Sequence, residues 1–161
     1  MLSVCFAGVT GWTAPPMVAA IDAADDLTLT SGVSRSAAGQ ALTAATASRA
    51  SRSDGFVFAT VSEALKSSEV DVLVDYTSAS TVKDNVWTAV RAGVHVVIGS
   101  SGLTSSDYEE LDRLARDHDV GVVAAGNFSI MAAVLLRAAA MAAQHVDHWE
   151  IIDYSSASKP D

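Results

Sequence analysis

Short apolar runs alternating with helical stretches constrain this chain more than any other feature. The runs cover residues 2–7 (LSVCFA), 27–33, 70–75, 94–98 and 120–124. Runs of this length, rich in Val, Leu and Ile, read as strands buried on both faces, as in a parallel sheet. Between them, Thr60-x-x-Glu63 and Thr104-x-x-Asp107 have capping-box spacing, in which a hydroxyl accepts from an orphan amide and the acid returns the bond. Residues 78–92 make a third helix, closed by Gly93. Strands alternating with helices and joined by right-handed crossovers define the α/β class, here a Rossmann-type doubly wound parallel sheet. The polar stretch 34–55, rich in Ala, Ser and Thr, shows neither period and reads as a flexible loop.

After Ala124 the pattern changes. Residues 129–145 (SIMAAVLLRAAAMAAQH) are apolar nearly all round, so this helix should be buried between two bodies. Residues 149–154 (WEIIDY) then alternate like a half-exposed strand. A chain of 161 residues holds one ordinary domain and the start of another. The division is a dinucleotide-binding domain over 1–126 and, over 127–161, the beginning of an α+β substrate and oligomerisation domain. That beginning comprises the interdomain helix, about 129–145, and a first strand, about 148–154, with the remainder lying outside this chain. If the chain is the whole molecule, an uncovered apolar helix implies a homo-oligomer.

Composition excludes several classes. Ten Lys+Arg against nineteen Asp+Glu give a net charge of -9, which repels polyanions and argues against a nucleic-acid partner. With 50% hydrophobic and 18% charged residues, the chain can fill a core and is not of the disordered kind. A lone Cys5 inside an apolar run permits no disulfide framework and points to a reducing cytoplasm. The apolar run 131–146 is too short and, with Arg137, Gln144 and His145, too polar for a membrane span; no basic leader is expected. His145 and His148 straddle a helix end and a strand start, so no metal site is expected. His95, His118, Cys5, Trp87, Tyr108 and Trp149 read as structural.

The first strand runs into Gly8-Val9-Thr10-Gly11-Trp12-Thr13-Ala14, the G-x-x-G-x-x-A form of the dinucleotide fingerprint, where glycines let the backbone approach a pyrophosphate. A glycine-rich turn without a ligand has the same spacing; position in the first βα turn favours the functional reading. Pro15 and Pro16 lack amide protons and fit only the first turn, so Thr13 should lie near the N-cap and the helix should start at Ala14 or later. At the end of the second strand, where an NAD site has an acid, stand Ser34-Arg35-Ser36, suited to a 2′-phosphate. Arg35, Arg49 and Arg52 share a stretch with no acid between Asp26 and Asp54. NADPH is therefore preferred, with NADH possible; solvated loop arginines are the alternative.

Four blocks carry a family resemblance: VLVDYT at 72–77, VIGSSGLT at 97–104, GNFS at 126–129 and EIID at 150–153. In order and spacing they resemble 4-hydroxy-tetrahydrodipicolinate reductase (dihydrodipicolinate reductase), a family of bacterial lysine and diaminopimelate biosynthesis, over residues 2 to about 161. The resemblance implies that the turn from Gly8 through Val9, Thr10, Gly11 and Trp12 to Thr13 holds the pyrophosphate. It puts Ser34 and Arg35 at the adenosine ribose and counts Thr77 among the cofactor-binding residues. Gly99, Ser100 and Ser101, with Ala125, Gly126, Asn127 and Phe128, then line the nicotinamide. The implied reaction is hydride transfer to a C=N or conjugated C=C bond of a small carboxylated cyclic substrate.

The family's catalytic stretch reads E-A-H-H-x-x-K-x-D, whereas this chain reads Asp153-Tyr154-Ser155-Ser156-Ala157-Ser158-Lys159-Pro160-Asp161. Lys159 is retained to bind or polarise substrate. Ser155 and Ser156 contribute hydrogen bonds at most, since a hydroxyl does not titrate near neutrality. A divergent homologue reducing another cyclic imine or ketone, and a non-catalytic NADPH-binding or partner protein, remain open.

Overall fold

The computed structural model describes residues 1–46 and 55–152. It divides into two compact units, Met1–Ala124 and Ala125–Asp161.

In the first unit the strands are β1 (Leu2–Ala7), β2 (Leu27–Val33), β3 (Phe56–Phe58), β4 (Val72–Asp75), β5 (His95–Ile98) and β6 (Val122–Ala124). They form one parallel sheet in the order β3-β2-β1-β4-β5-β6. The helices are α1 (Ala14–Ala23), α2 (Leu42–Ala45), α3 (Val61–Ser67), α4 (Val82–Arg91) and α5 (Ser105–Asp117). The chain steps outward from β1 to β3, then returns to β4 and steps outward the other way, so the order reverses between β1 and β4.

Side chains alternate across a strand, and β1 shows how that makes two cores. Val4 and Phe6 join Val18, Leu29 and Leu42 in the cluster under α1 and α2. Cys5 and Ala7 join Leu73, Val86, Trp87 and Leu111 in the cluster under α3, α4 and α5. Both faces of the sheet are covered, which is why β4 (VLVD) reads as a near-continuous apolar run.

The caps form as the spacing predicts, with one variation. At α5, Thr104 accepts from the Asp107 amide at 3.2 Å and Asp107 accepts from the Thr104 amide at 2.8 Å, a full capping box. At α3, Thr60 accepts from the Glu63 amide at 3.2 Å, but Glu63 returns its bond to the Ala59 amide at 3.1 Å.

Two expectations for this unit need correction. The helix expected over 78–92 begins at Val82, because Ser78, Ser80 and Thr81 bond to one another through their hydroxyls at 3.0 Å and hold a turn. The stretch 34–55 is not a uniform loop: α2 lies within it, and Ala41 bridges to Phe56 in β3. Leu42, fully buried, and Ala37, 5% exposed, tie this piece to the core; two anchors so far apart leave no periodic trace. Residues 47–54, with Arg49 and Arg52, lie outside the described residues.

In the second unit, α6 (Ile130–Ala142) continues into a single 3-10 turn, Ala143–His145, and Ser129 caps it by accepting from the Ala132 amide at 3.4 Å. No residue of α6 is buried. Residues 148–152 were expected to begin a strand and carry none. A strand needs a ladder partner for its amides and carbonyls, and none of the described residues supplies one. The rest of that stretch lies outside the described residues. No described helix is long and apolar enough to cross a membrane.

Candidate functional site

The site starts where β1 ends. Gly8 turns the chain at φ +91°, and a Cβ there would fall 2.3 Å from the Tyr76 carbonyl oxygen, so both backbone conformation and close approach require glycine. The Gly11 amide donates to the Gly8 carbonyl at 2.8 Å and the Ala14 amide to the Gly11 carbonyl at 3.1 Å. Thr13 is the N-cap of α1 and its hydroxyl makes no capping bond. Pro15 and Pro16 remove two first-turn amides and Gly11 takes that of Ala14. The Gly8 and Val9 amides donate to the Val33 carbonyl at 2.9 and 3.3 Å, so the amides of Gly8, Val9, Gly11 and Ala14 are all taken within the protein.

The exit of β2 lies beside that loop. Thr10 Oγ1 and Ser34 Oγ are 2.8 Å apart, and Ser34 Oγ is 3.1 Å from Ser36 Oγ. Arg35 is the one cation among the described residues lining the cleft above. A guanidinium beside hydroxyls that can donate suits a phosphate group.

Across the order reversal, β4 ends in Asp75, which is fully buried. Its Oδ1 accepts from the Thr77 amide at 3.1 Å, the Thr77 hydroxyl at 2.8 Å and the Ser100 hydroxyl at 2.6 Å. Its Oδ2 accepts from Asn85 Nδ2 at 2.8 Å. The next residue, Tyr76, stacks on Phe6 with ring centroids 6.0 Å apart, and burial raises its phenol above the ordinary tyrosine value. Its ring covers Gly99 so closely that a Cβ there would lie 2.2 Å from it. Asp75 and Tyr76 thereby tie the exits of β4 and β5 together.

These exits enclose a cleft of about 490 Å³ along the carboxyl ends of the strands. Of the residues singled out from sequence, Gly8, Thr10, Gly11, Ser34, Arg35 and Thr77 line it. Val9 is buried in the core beneath, while Trp12 is 92% exposed on the turn. Gly99 lies against Tyr76, Ser100 bonds to Asp75, and Ser101 is exposed at the same strand exit. Ala125, Gly126, Asn127 and Phe128 open the second unit, where Asn127 Oδ1 accepts from the Ser129 amide at 2.8 Å. Ser155, Ser156 and Lys159 lie outside the described residues.

Sequence reasoning missed Asp75, Asn85 and Tyr76 as site residues. The available signal was an acid closing an otherwise apolar strand, VLVD, where burial demands partners. His95 has a structural role: its Nδ1 accepts from the Gly121 amide at 2.8 Å, tying β5 to the approach of β6. The described residues hold no cluster of three or more His, Cys, Asp or Glu suited to a metal.

A parallel sheet in this order, with a glycine turn leading into a cleft at the point of reversal, defines a nucleotide-binding domain of the Rossmann type. The chain belongs to the dihydrodipicolinate reductase family: the family described as "Dihydrodipicolinate reductase, N-terminus" matches residues 2–128. The 4-hydroxy-tetrahydrodipicolinate reductase of Synechococcus elongatus is 33% identical over 96% of this chain and 58% of its own length. That of Mycolicibacterium vanbaalenii is 31% identical over 96% of this chain and 54% of its own. This chain therefore spans little more than half the length of these relatives. Among solved structures, dipicolinate-bound dihydrodipicolinate reductase from Paenisporosarcina sp. TG-14 superposes with a TM-score of 0.75 at 24% identity, over 89% of this chain and 54% of that one. GenD2 from gentamicin A biosynthesis, in complex with NAD, gives 0.63 at 22% identity over 79% and 35%.

Proposed function

We propose that this chain is the nucleotide-binding part of a reductase that uses NADPH, and NADH less well, to reduce a C=N or conjugated C=C bond in a small carboxylated cyclic substrate. The observation that carries the reading is the join of two ligand-holding elements at one cleft: the Gly8 turn, bare because a Cβ would strike Tyr76, and the Ser34-Arg35 pair at the end of β2. Both suit phosphate groups, one at a backbone loop and one at a guanidinium.

In this reading the chain's residues orient and the cofactor reacts. Gly8, Val9, Thr10, Gly11, Trp12 and Thr13 form the loop that holds the pyrophosphate. Ser34 and Arg35 hold the ribose 2′-phosphate. Thr77, Gly99, Ser100 and Ser101 receive the nicotinamide, and Ala125, Gly126, Asn127 and Phe128 are counted as cofactor-binding on the family resemblance. A bound dihydronicotinamide supplies the hydride. Lys159 binds or polarises the substrate, with Ser155 and Ser156 offering hydrogen bonds. The dipicolinate held by the Paenisporosarcina relative, a ring with two carboxylates, supports the substrate class. The same reading puts a nucleotide domain at 1–126, the start of a substrate domain at 127–161, a second copy over the apolar face of α6, and the protein in the cytoplasm.

The test is single-turnover NADPH oxidation by the protein with tetrahydrodipicolinate and a panel of cyclic imines and ketones. Lys159→Ala should abolish turnover and leave NADPH affinity unchanged. Ser155-Ser156 in place of the family's two histidines favours a second reading, a divergent reductase of another imine or ketone. Turnover of another panel member but not tetrahydrodipicolinate would select it. NADPH binding with no turnover of any substrate would leave a binding protein.

A further inference from the structure

Among the described residues, Asp75 is the only fully buried charged side chain. It is the last residue of β4, facing Ala7 of β1 and Ile98 of β5 in the sheet register, so it sits where the strand order reverses. Burying a carboxylate is costly unless its oxygens are bonded, and here two amide N–H groups and two hydroxyls donate to them. These donors satisfy lone pairs but carry no net charge. The ion pairs among the described residues involve Lys83 with Asp107 and Glu110, and Arg116 with Asp112; none reaches Asp75. Two of its partners, Thr77 and Asn85, form part of the cleft wall. The Asp75 carboxylate thus stands one side chain behind the cleft, and among the described residues no cation pairs with it.

We propose that Asp75 is a positioning residue whose field makes this site bind oxidised nicotinamide dinucleotide more tightly, relative to the reduced form, than the hydrogen bonds alone would. The inference rests on the NADPH reading above. In that reaction a hydride leaves C4 of the dihydronicotinamide with its electron pair for the acceptor carbon. The other acceptor atom takes a proton from solvent, and the ring keeps one positive charge. A fixed negative charge, held by Thr77 and Ser100 and unable to reorganise, stabilises that developing cation. Because the oxidised and reduced forms carry the same phosphates and adenosine, their affinity ratio isolates the charge on the ring.

The experiment measures Kd for NADP+ and NADPH on the full chain by calorimetry. Asp75→Asn should weaken NADP+ on the order of tenfold more than NADPH, about 1.4 kcal/mol. Ser100→Ala, which removes a donor and keeps the charge, should weaken both alike and leave the ratio unchanged. If Asp75→Asn does not fold, Asn85→Lys takes its place, neutralising Asp75 from the cleft side; the ratio should move the same way. Equal weakening of both forms by Asp75→Asn, or an unchanged ratio in Asn85→Lys, would make Asp75 a structural fastener and overturn the proposal while the NADPH reading stands. Failure of the unsubstituted protein to bind either form would overturn both.

Discussion

The hydroxyls of Thr10 and Ser34 lie 2.8 Å apart and fasten the glycine turn to the exit of β2 across a sequence separation of 24. Ser36 extends this to a row of three hydroxyls, and Arg35 lines the same cleft as Thr10 and Ser34. Arg35→Ala should therefore cost NADPH binding about 1–3 kcal/mol, the range for a charge-assisted hydrogen bond, and NADH binding little. Ser34→Asp, which restores the acid typical of an NAD site, should reverse the preference. Titration of both cofactors decides; equal losses would remove the 2′-phosphate from this position.

Gly8 and Gly39 both have positive φ, +91° and +86°, but only Gly8 faces a close neighbour. Gly39→Ala should cost about 1–2 kcal/mol from backbone conformation alone. Gly8→Ala must also move the Tyr76 peptide and should lower Tm further and remove nucleotide binding. Equal Tm values for the two variants would show that the approach to Tyr76 is not tight.

Lys83 lies 2.5 Å from Asp107 and, with the Thr104 amide and hydroxyl, holds that carboxyl well below the usual 3.8. A carboxyl depressed in the folded state adds stability above its unfolded pKa and loses it as pH falls toward the folded value. Asp107→Asn should thus be less stable than the unsubstituted chain at neutral pH, with the gap closing progressively below about pH 4. Urea midpoints across that range test it; a gap that widens with acid would reverse the sign.

Cys5 is fully buried between β2 and β4, and burial pushes its thiol up to about 11. The thiolate is the reactive form. A disulfide reagent at pH 8 should leave the folded chain unmodified and label it fully in denaturant. Prompt labelling without denaturant would contradict the packing of β1.

What could be read from the sequence was what depends on near neighbours along the chain. The strands β1, β2, β4, β5 and β6, the glycine turn, and the caps at Thr60 and Thr104 each show within a few residues, as a short apolar run, a glycine spacing or a local hydrogen bond. The family match over residues 2–128 bears out the resemblance drawn from four short motif blocks. Tertiary structure alone decided the rest. β3 is three residues long and α2 four, too short to show a period; β3 holds by pairing with Ser31, Gly32 and Val33 of β2, and α2 because Leu42 reaches the core. Asp75 lies 10 residues from Asn85 and 25 from Ser100. Parallel pairing of β4 with β5, and the return of α4 over the same sheet edge, bring these groups to one carboxylate, because a buried charge must find its donors wherever the fold places them.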